Sequence, residues 1–241
     1  MRAAAEKAIQ LDPMLAEAYD ALGMAYARDG QWKESEKSFL HAIKLDSSGS
    51  VWYGHFAANV LLPLGRIQEA IQQVQAAVKT DPLSALAQFT LANVLLSAGR
   101  YDEAADQCER LPDGSELKSQ CLGRARSGQG RTGEALEIFA RAVDRGVPAG
   151  SVLHGYLGYS YGHTGRRVDA ESLASSVSQY PFQQALIFAG LGDKDRTLEA
   201  LDRMAVQGPV RIGRTLAYPE FALLRGDPRV KVLRKKVGLP E

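Results

Sequence analysis

A glycine that returns at a nearly constant interval constrains this chain more than any other feature. Gly30, Gly65, Gly99, Gly130 and Gly165 are separated by 35, 34, 31 and 35 residues. Each opens a similar string, GQWKES, GRIQEA, GRYDEA, GRTGEA and GRRVDA, and a weaker sixth copy at Gly192 reads GDKDRTLEAL. Glycine adopts a left-handed or tight conformation cheaply, so it suits the end of one helix, and each string after it reads as the start of the next. A helix–turn–helix unit of about 34 residues cannot bury its apolar face alone, so copies must stack into a solenoid.

Small residues fall where the two helices of a unit must approach closely. They are Gly23, Ala58, Ala92, Gly123 and Gly158 on the first (A) helices and Ser35, Ala70, Ala104, Ala135 and Ala170 on the second (B) helices. Between units, Asp12-Pro13 and Asp81-Pro82 close helix B, because proline disfavours continuing a helix but suits the first turn of the next. Ser47 stands where the first full unit would have that proline.

The clearest copy of the repeat has Tyr19, Leu22, Gly23 and Tyr26, with Phe39 further on. This spacing of W/Y-x2-LG-x2-Y, followed by A-x3-F and then Pro, resembles the tetratricopeptide repeat. The resemblance implies an all-α fold, a right-handed superhelical solenoid of antiparallel helix pairs. It divides the chain into a half-repeat at 1–15, units at 16–49, 51–84, 85–115, 116–149 and 151–180, and a degenerate sixth repeat with C-terminal capping helices at 181–241. The segment near Leu111-Pro112 is short, which predicts a rotated or shifted step between the third and fourth units.

The two ends carry separate expectations. The opening AAAEKAIQLDP aligns with the end of a unit, so the first layer is a helix B without its helix A. Either this chain is a piece of a longer protein or another molecule covers the open layer, and the half-repeat is then a route to homo-oligomers. The C-terminal YPEFALLRGDPRVKVLRKKVGLPE reads as two short helices split by Gly226-Asp227-Pro228. That ending resembles the terminus of bacterial repeat regions downstream of winged-helix, adenylate-cyclase or protein-kinase domains. It implies the C-terminal part of a regulatory or signalling protein.

Several function classes are disfavoured. No apolar stretch approaches the roughly 18 residues that span a bilayer, and the start lacks the apolar core of a secretory signal. A net charge of +1 argues against a nucleic-acid binder, and the basic tail alternates with apolar positions as a solvated helix face does. GRARSGQGRTG, from Gly123 to Gly133, lacks the first glycine and the lysine of a phosphate loop. The four histidines show no ligand spacing, and no serine sits in a nucleophile elbow, so neither metal, cofactor nor enzyme activity is expected. Cys108 and Cys121 read as small buried hydrophobes in a reducing compartment, which makes the expected location cytoplasmic.

What remains is a surface. The resemblance implies that the A helices line a concave groove that docks a protein or peptide segment. Trp52, His55, Phe56 and Asn59 point into it from the second unit, and Phe89 and Asn93 from the third. Arg124, Tyr156 and Tyr159 extend it, and Arg124 is placed to meet a partner's carboxylate. Large aromatics in such a position serve as anchors, and the stacked amides of Asn59 and Asn93 offer donors and acceptors to an extended backbone. A groove that clamps the C-terminal carboxylate of chaperones is disfavoured, because Asp20 and Met24 stand where that subclass has lysine and asparagine. Two other readings stay open: self-assembly through the N-terminal layer, and a groove that senses a small effector.

Overall fold

A computed structural model describes residues 1–240. Among these residues every regular element is a helix or helical turn. A lone α1 (Arg2–Leu11) precedes the pairs α2 (Ala16–Arg28) with α3 (Trp32–Leu45), α4 (Ser50–Phe56) with α5 (Ile67–Thr80), and α6 (Ala85–Ser97) with α7 (Tyr101–Glu109). The series continues with α8 (Glu116–Gly128) and α9 (Thr132–Asp144), α10 (Val152–His163) and α11 (Arg167–Ser176), and α12 (Pro181–Gly190) and α13 (Lys194–Met204). Each helix packs on its partner and on the next pair, which makes an all-α helical-repeat solenoid.

The recurrent glycines act as the sequence predicts. Gly30, Gly65, Gly99, Gly130, Gly165 and Gly192 have φ between 71° and 77°, and the residue after each donates its N–H to a carbonyl five positions back. Gln31 to Tyr26 (2.8 Å) and Arg100 to Leu95 (2.9 Å) are examples. This is the left-handed helix end that satisfies orphan carbonyls, and a side chain there would be strained. The arginine after the glycine then pairs with the acid three residues on: Arg66 with Glu69 (2.6 Å), Arg131 with Glu134 (2.6 Å) and Arg166 with Asp169 (2.8 Å). That contact accounts for the repeated GRxx(E/D)A string, although such exposed pairs each contribute only about 0–1 kcal/mol.

Two local departures have physical causes. The helix that begins as α4 widens into a π turn at Ala57–Leu61, where Leu62 donates to Ala57 at 2.9 Å. Pro63 follows directly, and its ring would clash with a carbonyl four residues back in a regular helix, so the wider turn accommodates it. The second departure concerns the close contacts. Gly23 and Gly123 do face their own B helices, where an added Cβ would lie 3.0 Å from Phe39 and 2.4 Å from Phe139. Gly158 instead faces the next A helix, 2.4 Å from Ile187, and so do Gly155 and Gly162. These three lie along one side of α10, and Gly190 on α12 answers them, so the two backbones touch.

The apolar core changes character at the short unit. One cluster runs from Ala27 to Ala125 and another from Ala135 to Leu239, and a small group of Ala92, Cys108, Leu111 and Cys121 sits at the seam. The cysteines are fully buried there, but the reading of them as unpaired hydrophobes is corrected: they form a disulfide, with Cα atoms 5.6 Å apart, that ties α7 to α8. Removing three residues from the period brings the end of one unit under the start of the next. With the thiols paired, cysteine usage no longer argues for a reducing compartment. Reduction, or Cys108→Ser with Cys121→Ser, is expected to lower stability by about 2 kcal/mol in urea melts, because the bridge closes a short loop. Identical melts with and without reductant would contradict the pairing.

After α13 the chain stops extending the solenoid and turns back. A 3-10 turn (Ala205–Gln207) leads to α14 (Pro209–Leu216), a second 3-10 turn (Pro219–Leu224) and α15 (Pro228–Lys236). Of the two short helices expected in the ending, the first is this second 3-10 turn. Helix α14 lies against α2 and the π turn, and the Trp32 indole donates to the Gly238 carbonyl at 3.3 Å. The last residues therefore reach the first full unit. The approach is close: a Cβ on Gly213 would stand 2.7 Å from the Pro63 carbonyl. No helix among the described residues is long and apolar enough to cross a membrane.

Candidate functional site

Because α14 crosses the face made by the A helices without filling it, a cavity of about 490 Å³ remains between them. Its volume falls in the range of ligand sites, roughly 300–1,000 Å³. Met24, Val51, Leu62, Leu86, Phe89, Val152 and Phe182 make its apolar wall. His55, Asn59, Asn93 and Tyr156 also line it, joined by Arg211, Arg214 and Tyr218 from the returning segment. Of the residues named from the sequence, the cavity thus gathers His55, Asn59, Phe89, Asn93 and Tyr156.

The others lie elsewhere. Phe56 is 2% exposed and packs on Phe39 with ring centroids 5.9 Å apart, so its bulk serves the core. Trp52 is half-buried and donates its indole N–H to Asp46 at 3.2 Å; the Ser48 hydroxyl first, and then this indole, hold the Asp46 carboxyl below its ordinary value. Tyr159 stacks on His163 at 4.3 Å, and burial pushes its phenol upward. The two asparagine amides are already occupied: Asn59 Nδ2 donates to the His55 carbonyl (2.8 Å) and Asn93 Nδ2 to the Phe89 carbonyl (2.9 Å). A side chain bonded to its own helix in this way has fewer groups left for a ligand.

Arg124 meets a carboxylate within its own chain. Its Nε and Nη2 donate to Glu220 Oε1 and Oε2 at 2.6 and 3.0 Å, and Nη1 donates to Asn93 Oδ1. The guanidinium lies 4.5 Å from the Tyr218 ring and 5.2 Å from the Tyr156 ring. Both charges are almost fully buried. Burial opposes the arginine charge, but the field of Glu220 outweighs it and the net shift is upward. The forked, two-bond geometry is the strong form of such a pair. It anchors the turn Pro219–Leu224 to α8.

The contrast is with Arg211. Its Nε is buried without a hydrogen-bond partner, and the guanidinium sits 4.9 Å over the Phe182 ring. Burial, then the like charge of Arg214, lowers its affinity for the proton. The Tyr156 hydroxyl is also buried without a hydrogen bond of normal geometry, with Gln120 nearby, and burial raises its pKa. Sequence reasoning missed Glu220, Arg211 and Arg214, because they follow Pro181, where the repeat pattern that assigned positions to faces fades. At His55 the ring Nδ1 lies 2.8 Å from Asp20 Oδ2, which fixes the imidazole from the neighbouring A helix. No group of acidic, histidine or cysteine side chains suited to a metal ion occurs among the described residues.

Family models of the tetratricopeptide repeat match residues 16–48 and 57–116, and the helix pairs observed there continue in the same arrangement through α13. The chain contains tetratricopeptide repeats. Its fold resembles that of a tetratricopeptide repeat protein from Parabacteroides merdae ATCC 43184, with a TM-score of 0.68 at 14% identity, covering 98% of this chain and 90% of that one. Pseudomonas aeruginosa pilF is similar with a TM-score of 0.58 at 16% identity, covering 83% of this chain and 94% of its own. MamA matches with a TM-score of 0.50 at 25% identity, over 58% of this chain and 83% of MamA. No curated protein matches the chain. With these repeats the chain is a helical scaffold of the protein-interaction type.

Proposed function

We propose that this scaffold captures a peptide segment of a partner protein in the cavity between the A helices and α14. The observation that carries the reading is the cavity itself, about 490 Å³ with an apolar wall and a few buried polar groups. Binding sites generally combine these two features, since apolar burial supplies affinity and sparse polar groups supply orientation. Leu86, 56% exposed on α6, and the half-buried Phe89 are the anchors that a ligand would cover. On the strength of its C-terminal ending, the module belongs in a larger bacterial regulatory protein, where capture of a segment reports to or recruits a second domain.

Leu86→Asp tests the groove, because the position is exposed and tolerates a charge without unfolding the helix. In a fluorescence-polarisation screen of a short-peptide library against the full chain, peptides bound by the wild type are expected to weaken about tenfold or more with Leu86→Asp. The melting temperature should not change. Equal affinities in the two proteins would overturn the assignment to this cavity.

A further inference from the structure

We infer that the captured segment is acidic, its carboxylate held by Arg211, Arg214 and the Tyr156 hydroxyl. The inference rests on the groove reading above and adds the chemistry of the ligand. Arg211 and Arg214 are three residues apart on α14, hence on one face, and both line the cavity. Neither has a carboxylate partner or a side-chain hydrogen bond among the described residues, and the Nε of Arg211 is fully shielded from water. Arg124, buried outside the cavity, shows the ordinary arrangement, with a carboxylate and an amide oxygen around a buried guanidinium.

Tyr156 provides a second, independent observation. It is 1% exposed, lines the same cavity, and its hydroxyl makes no hydrogen bond of normal geometry, although the Gln120 side chain lies nearby. Buried donors in folded proteins are satisfied in the great majority of cases, and those left over point to a missing acceptor. Guanidinium groups only donate, and a tyrosine hydroxyl donates readily. A set of two arginines and one hydroxyl is therefore complementary to an oxygen acceptor with negative charge, and a carboxylate fits the guanidinium fork. The remaining wall, with Val51, Leu62, Leu86 and Phe89, takes apolar side chains. An Asp, a Glu or a terminal carboxylate flanked by apolar residues meets both demands.

The arginines belong to the returning helix, so the acidic ligand would touch the solenoid and its own C-terminal segment together. Binding then also locks α14 in place.

The probe is a heptapeptide library made in paired copies, with Asp or Glu at each scanned position in one and Asn or Gln in the other, tested by polarisation on the full chain. Wild-type protein is expected to prefer the acidic copy by about tenfold or more, the scale of a hydrogen bond to a charged group. Arg211→Gln and Arg214→Gln should erase that preference, and Tyr156→Phe should reduce it, with melting temperatures largely maintained because neither arginine holds a hydrogen bond or ion pair within the chain and Tyr156→Phe keeps the ring. Peptides bound without acid preference, or a preference untouched by the arginine variants, overturn this inference and leave the groove reading standing. Failure of every peptide to bind overturns both. A thermal shift with free hexanoate, absent with hexanamide, in a protein that binds no peptide would assign the site to a small acid and likewise overturn the peptide.

Discussion

Glu220→Ala is expected to lower the unfolding free energy by about 3–5 kcal/mol, the cost of stranding a buried charge whose partner has been removed. Arg124 is 2% exposed and Glu220 6%, so neither finds water when the other is lost. Asn93 offers one oxygen to Arg124, which compensates little of the charge. Replacing both, Arg124→Met with Glu220→Leu, should recover most of the loss, since an apolar pair of similar volume avoids the desolvation penalty. Urea melts of the two single and the double variants measure the coupling directly. A single variant within about 1 kcal/mol of the wild type would mean that the turn Pro219–Leu224 does not dock on α8 in solution, since an exposed pair is worth no more than that.

Gly190→Val should cost about 3 kcal/mol, the upper end of what overpacking a tight contact removes. A Cβ on Gly190 would lie 2.4 Å from the Tyr159 carbonyl oxygen and 2.6 Å from its Cα. Both atoms are backbone, so no side chain can rotate away and the helices α10 and α12 must separate. Gly133→Ala is the matched control. It lies in a helix with nothing within 4 Å of the added methyl, and should gain about 0.5–1 kcal/mol from reduced backbone freedom in the unfolded chain. If both substitutions behaved alike in thermal and urea melts, the close packing of α10 on α12 would be refuted.

What was legible in the sequence follows from what repeats. Each turn glycine is read from one backbone demand made again and again, and the same holds for the arginine and acid that follow it. Features that occur once were not legible. The Arg124–Glu220 pair joins positions 96 residues apart, and only the fold-back of α14 brings them together. Pro63, four residues beyond Asn59, lies buried under Gly213 and does not line the cavity. His55 and Phe89 hold equivalent positions in their units and both line the cavity, whereas Phe56, one position further on, turns onto Phe39. A repeat register assigns a side chain to a helix face, and the neighbours then decide whether that face is core or ligand wall. Cys108 and Cys121 were seen as buried, but their pairing depends on the short step between units, which spacing alone did not translate into a distance.

Hydrogen–deuterium exchange on the full chain, with and without the tightest acidic heptapeptide from the paired library, tests the groove most directly. The account predicts that the peptide slows exchange in α6 and in α14 together, because both helices line the cavity. Protection confined to the B helices or to α1, with α6 and α14 unchanged, would contradict it.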